Sequence, residues 1–206
     1  MTATIAHFFI AFGLSFIGSL PPGIINMTVA MTAIRKNISA AFLVSIGAAL
    51  VEFIQVFVAL KFSYLLSTYG DFQSIFSIIA LLIFVGLSVY YLFFAPTQPP
   101  KLKEKGAALG DFFKGMAVSS ANVMVFPYWI FYGTWLGSNG WLIHDNFHIS
   151  IFSAGVAVGA FSVFLLFLKL ASIIVKKVDN LVKIANRTVG FIFIILAILQ
   201  LWQLVK

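Results

Sequence analysis

Apolar residues run along this chain in long blocks, and polar residues mark where the blocks end. From about Thr4 to Ile34 there is no Lys, Arg, Asp or Glu, and Arg35 and Lys36 close the run. A second block covers Ile38 to Leu60 and is followed by Lys61. A third runs from about Phe72 to Phe94 and stops at Pro96, Pro99 and Pro100. Three more cover about Gly110 to Leu136, His148 to Leu168 and Thr188 to Val205. Apolar blocks of about 20 residues are the length that spans a bilayer as a helix. A β-barrel would show short segments of alternating polarity instead. The pattern therefore predicts an all-α membrane protein with six transmembrane helices, in a single transmembrane domain over residues 1–206. Between the fifth and sixth blocks, Lys169 to Arg187 is basic and amphipathic. Lys176, Asn180, Lys183 and Arg187 share one helical face, with Ile174, Val178, Leu181 and Ala185 beside it. That predicts a helix lying at the membrane surface.

The first block carries a flaw that no straight helix tolerates, Ser19-Leu20-Pro21-Pro22-Gly23-Ile24-Ile25-Asn26. Two prolines remove two backbone donors, Leu20 before a proline is pushed out of the helical region, and Gly23 adds backbone freedom. A straight helix over Thr4 to Ile34 would be roughly 46 Å long, against a hydrocarbon core of about 30 Å. A crossing broken near the midplane accounts for both facts. A hairpin in this block, giving five crossings, fits the charges of the other loops equally well. The fourth block has a similar flaw. Ser119-Ser120-Ala121-Asn122 precedes Val123, whose carbonyl is predicted to be freed by Pro127. Backbone freed at membrane depth is tolerated only where protein or a water-filled cavity satisfies it.

Helices 1 and 4, both broken near the midplane, each open a set of three crossings. This suggests two inverted three-helix repeats, about 1–95 and 110–206, joined by loop 96–109. Gly47-Ala48 matches Gly159-Ala160 across the halves, and Phe16-Ile17-Gly18-Ser19 resembles Phe113-Lys114-Gly115-Met116.

Charge then sets the orientation. Only 9% of the residues are charged, so the net charge of +7 sits almost wholly in short loops. With the N-terminus outside, Arg35, Lys36, Lys101, Lys103, Lys105, Lys114, Lys169, Lys176, Lys177, Lys183 and Arg187 all fall on one side. That is eleven of the thirteen basic residues, leaving Lys61 and Lys206. Loops rich in Lys and Arg stay cytoplasmic, which predicts both termini outside. Membrane orientation explains the basic balance without a nucleic-acid partner. The first block has no basic region before it and no small-residue cleavage site, so it reads as a crossing and not as a signal peptide.

The candidate chemistry lies in and between the breaks. A half-helix starting at membrane depth has amides without intrahelical partners and a partial positive charge at its start. Two such starts facing each other suit an anion or carboxylate. Pro21, Pro22, Gly23 and Asn26 form the first, and Ser119, Ser120 and Asn122 lie at the second. Glu52, with Gln55 three residues on, is the only acid within a block. A charged side chain at the bilayer centre costs about 2.5–3.5 kcal/mol on insertion scales, so Glu52 is expected to face the interior. There it can exchange a proton or bind an ammonium group. Small residues Ala40, Ala41, Ser45, Gly47, Ala48 and Ala49 suit close helix packing, and a homodimer stays open. There are no cysteines, so thiolate metal sites and thiol redox chemistry are excluded. His7, His144 and His148 show no ligand spacing. No metal site, cofactor or catalytic motif is expected.

Leu20-Pro21-Pro22-Gly23-Ile24-Ile25-Asn26, then Arg35-Lys36-Asn37, then Ile46-Gly47-Ala48-Ala49-Leu50-Val51-Glu52, resembles the lysine exporter (LysE) and threonine exporter-like family of amino-acid export permeases. Phe112-Phe113-Lys114-Gly115 leading to Asn122-Val123 extends the likeness to the fourth block. Pro-Pro-Gly stands where that family has Pro-Gly-Pro, and Val123 stands where a proline follows the Asn. The resemblance implies a non-enzymatic secondary transporter of the bacterial inner membrane. Its expected action is proton-coupled export of amino acids or related zwitterions by alternating access. A metal exporter of the same superfamily and a transport-free membrane scaffold are the alternatives.

Overall fold

The computed structural model describes residues 2–68, 73–95, 108–174 and 178–205. The described residues form nine α-helices in chain order: α1 Thr2–Ser19, α2 Ile24–Arg35, α3 Ile38–Thr68, α4 Gln73–Val89, α5 Ala108–Ser120, α6 Val125–Ser138, α7 Asn146–Lys169, α8 Ala171–Ile174 and α9 Val178–Val205. A π-helical turn, Tyr90–Phe94, continues α4 and closes with Ala95 N–H donating to Tyr90 O at 2.8 Å.

α3 shows why these sequences form buried helices with no polar outer face. Asn37 Oδ1 caps its start by accepting from Ala40 N–H at 2.7 Å. Phe42, Ile46, Leu50, Ile54 and Val58, four residues apart, are all exposed. Ser45, Glu52, Gln55 and Ser63 are buried with Ala41, Val44, Ala48, Val56 and Ala59. The apolar stripe faces outward and the polar groups face in, as expected of a helix whose solvent is lipid. α3 runs on past Lys61, where the sequence suggested an end. The Lys61 stem lies along the helix with Nζ 5.9 Å from the Phe57 ring centre, so the charge is carried away from the helix axis.

α3 and α7 are the central pair. α1 packs on α7, α5 and α6 pack on α3, and α2 lies against both α3 and α7. α4 and α9 pair beside this body. Their cluster of Phe84, Phe193 and Ala197 reaches the body through Met124. Two contacts of very close approach repeat in register. Phe112 O lies well inside contact distance of where a Gly47 Cβ would stand, and Phe12 O is likewise too close to a Gly159 Cβ. Gly115 sits against Val44 O, and Ser15 Oγ donates to Val156 O at 2.8 Å. Positions 12 and 15 become 112 and 115, a shift of 100, while 44 and 47 become 156 and 159, a shift of 112. In this numbering Gly47 and Gly159 take equivalent contact positions. Phe16 does not take the register of Phe113, which lies three positions away from the one the contacts set.

Among the described residues, Ile38–Leu66 and Asn146–Lys169 are each long and apolar enough to cross a membrane, and α1 with α2 makes a third such unit. Leu81–Phe94 and Asn186–Trp202 are shorter apolar stretches. Within the stretch expected to form a surface helix, Ala171–Ile174 is the short helix α8, residues 175–177 lie outside the described residues, and Val178 to Arg187 belongs to α9. α9 runs unbroken from Val178 through Arg187 to Val205, because no helix-breaking residue separates the basic stretch from the apolar one. Lys183 and Arg187 are exposed. Lys176, Lys177, Phe72 and most of the loop over 96–109 lie outside the described residues.

Candidate functional site

The first break is built as the sequence demands. α1 stops at Ser19, and α1 and α2 meet at a bend of 72°. Gly23 is extended, with φ −94° and ψ 180°, and the first bond of α2 is Met27 N–H to Gly23 O at 3.0 Å. The amides of Ile24, Ile25 and Asn26 therefore have no acceptor within their helix. Carbonyls are also freed where α1 ends. Asn26 Nδ2 donates to Ser19 O at 2.7 Å and to Pro21 O at 3.0 Å. The Asn26 amide thus closes the break across itself. Pro21 and Gly23 are exposed, and Pro22 is half-buried.

The second break differs from its expected form. α5 stops at Ser120, before the proline, and residues 121–124 make a tight turn. Asn122 N–H donates to Ser119 O at 2.9 Å and Val123 N–H to Ala121 O at 3.1 Å. Pro127 is the third residue of α6. A proline there costs no hydrogen bond, because a first-turn amide has no helical acceptor. Val123 O is therefore freed by the turn and not by Pro127. Pro127 also leaves the start of α6 with fewer free amides than the start of α2.

The breaks are neighbours. Tyr128, in the first turn of α6, donates from its hydroxyl to Leu14 O at 3.2 Å. A Cβ at Gly18, in the last turn of α1, would stand 2.7 Å from that hydroxyl. Tyr128 is packed against Trp129 and Tyr132, with ring centres 5.0 and 4.8 Å away.

Of the residues singled out by sequence, Gln55 and Ser119 meet, and Glu52 lies three residues before Gln55 on α3. Gln55 Nε2 donates to Ser119 O at 3.3 Å, joining α3 to the end of α5. All three side chains are buried. Glu52 Oε2, Gln55 Oε1 and Ser119 Oγ each lie buried with no hydrogen-bond partner. Buried polar atoms are nearly always paired, and these three are exceptions. Each of the three atoms can accept a hydrogen bond, which suits a donor such as an ammonium group or a proton. Ser120 is exposed and Asn122 half-buried, beside this group in sequence. Lys114 bridges to Thr32 of α2 and Tyr128 to Leu14 of α1, contacts not singled out from the sequence, while Thr28 bonds back to Ile24 O within α2. Thr28 and Thr32 are one helical turn apart and fully buried or nearly so, a spacing the sequence does carry. Lys114 stood there as a loop charge and within the quoted sequence stretches, with no role assigned to its side chain.

Helices of this length and outward apolarity, two of them broken, define an integral membrane protein with a polar interior. The chain belongs to the LysE type translocator family, whose family model matches residues 16–203. It is therefore a transporter and not an enzyme, and the family implies an exporter of amino acids or related compounds. No curated protein and no solved structure matches the chain.

Proposed function

We propose that this chain exports amino acids or similar small zwitterions across a bacterial inner membrane, coupled to protons. The observation that carries the reading is the unpartnered group Glu52 Oε2, Gln55 Oε1 and Ser119 Oγ beside two broken helices. Glu52 holds the substrate ammonium group or, in its absence, a proton. The free amides of Ile24, Ile25 and Asn26, with the start of α6, hold the carboxylate. Pro21, Pro22 and Gly23 keep those amides free by stopping α1, and Ser120 and Asn122 border the second break.

The mechanism is alternating access between two inverted repeats in one transmembrane domain, residues 1–95 and 110–206, with six crossings and both termini outside. The reading is supported by the common register in which α1 meets α7 and α5 meets α3, Phe12 on Gly159 as Phe112 on Gly47. Protons and a second copy of the chain are the further partners, in a lipid bilayer.

Flux in reconstituted vesicles tests the proposal. Wild-type protein is expected to release loaded amino acid when a pH gradient is imposed. Flux that ignores the gradient removes proton coupling, and no amino-acid flux at all removes the export reading.

A further inference from the structure

One end of the bundle is tied by charge. α2 ends at Arg35 with Lys36 as its cap, and α5 carries Asp111 in its first turn. Basic groups suit the carbonyl end of a helix and acidic groups the amide end, so each side chain suits its own helix as well as its partner. Lys36 Nζ is paired with Asp111 Oδ2, and Asp111 is buried. One turn further in, Lys114 Nζ donates to Thr32 Oγ1 at 3.0 Å, and Thr32 Oγ1 donates to Thr28 O at 2.7 Å. These are two rungs, one turn apart on each helix, between α2 and α5.

The opposite end is closed by different chemistry. In the register set by Phe12 and Phe112, Asp111 and Lys114 correspond to Ala11 and Leu14. Ala11 and Leu14 lie in an apolar cluster with Tyr128, Tyr132 and Leu136 of α6. Opening that end would expose apolar and aromatic surface to water, which is unfavourable in proportion to the area. Opening the charged end exchanges protein partners for water, and an ion pair loses little net free energy in that exchange. Ser119 lies five residues beyond Lys114 on α5, about 7.5 Å along the helix axis. The charged end is thus the cheaper of the two to open, and it leads towards the unpartnered group.

We propose that Lys36–Asp111 and Thr32–Lys114 are the gate of the path at the face where α2 ends and α5 begins, closed in this structure. The path itself rests on the transport reading, but the opening can be measured without any flux.

The chain has no cysteine, so Ser119→Cys supplies a single thiol. The full chain, in lipid vesicles, is reacted with a small water-soluble maleimide. The thiol is expected to react slowly in this background. Adding Lys36→Met or Lys114→Met should raise the rate about tenfold by shifting the population of the open form. The charge exchange Lys36→Asp with Asp111→Lys should return the rate towards that of the single-thiol chain. An unchanged rate in both Met variants overturns the gate, and so does a charge exchange that labels as fast as Lys36→Met. If Lys36→Met fails to fold, Lys114→Met and Thr32→Val decide the matter at the inner rung. Flux is followed separately in the cysteine-free parent. Faster labelling with no amino-acid flux keeps the gate and removes the transport reading, whereas flux with unchanged labelling does the reverse.

Discussion

At the scale of single residues, the site is a contrast between polar groups that are paired and polar groups that are not. Both donors of the Asn26 side-chain amide are engaged, holding Ser19 O and Pro21 O where α1 breaks. Leaving a buried acceptor unsatisfied costs about 1–3 kcal/mol. Asn26→Leu removes the donor to two carbonyls and should lower the thermal midpoint in detergent clearly. Asn26→Gln, which keeps a donor, should recover part of the loss; equal midpoints for Leu, Gln and wild type would deny the Asn26 amide this role. Glu52, Gln55 and Ser119 are the opposite case. Their unpartnered atoms cost stability as they stand, so Glu52→Gln should fold at least as well as wild type while losing function. Asn26, Glu52 and Gln55 were legible in the sequence, because a polar residue inside an apolar block is costly to leave facing lipid and so points to the bundle interior. That Asn26 spends its amide on its own break was not, since it depends on where the freed carbonyls point.

At the scale of the elements, close contact between helices depends on missing side chains. Gly47 faces Phe112 O and Gly115 faces Val44 O, both inside contact distance for an added Cβ. Gly86, by contrast, has nothing within 4 Å. Overpacking typically costs about 1–3 kcal/mol. Gly47→Ala and Gly115→Ala should therefore destabilise the protein measurably in thermal unfolding, and Gly86→Ala should not. Comparable losses at all three would refute the packing of α3 on α5. The start of α7 offers a pH test outside the membrane spans. Asp145 caps it, accepting from His148 N–H at 2.9 Å, and that bond, followed by the His148 ring, holds the carboxyl below its usual range. A lowered folded value means the cap stabilises above the unfolded value of 3.8 and is lost as pH falls through the folded one. Asp145→Ala should lower stability at neutral pH and make little difference in strong acid. A loss that persists in strong acid would contradict that linkage. Helix existence and the two breaks were readable from blocks of apolarity and from Pro-Pro-Gly. The second break lies where the Ser-Ser-Ala-Asn cluster pointed, but its cause was misjudged, because a proline in a first turn looks the same in sequence as one inside a helix. The continuity of α9 through Arg187 was hidden for a related reason, since a change of polarity along a helix does not interrupt its hydrogen bonds.

At the scale of the whole molecule, the charged and uncharged ends give the bundle a direction. Arg35 ends α2 and is exposed, while Asn139, just past α6, lies in a connection with no Lys or Arg. In intact cells, Asn139→Cys should react with a membrane-impermeant thiol reagent and Arg35→Cys should react only after the membrane is opened. The reverse pattern would invert the orientation. The shared contact register of the two halves was legible only in outline. Gly47 with Gly159 could be found in sequence, but the register of α1 with α5 could not, because Ser15 and Gly115 reach the same place with different side chains.

The most direct test of the account compares cells producing wild-type protein with cells producing Glu52→Gln at equal membrane levels. Amino acids are quantified inside the cells and in the medium. The account predicts that at least one amino acid or close relative accumulates outside with wild type. With Glu52→Gln it should fall back to the level of cells without the protein. Equal export by the two proteins would contradict the role of Glu52, and no exported amino acid with either would contradict the account as a whole.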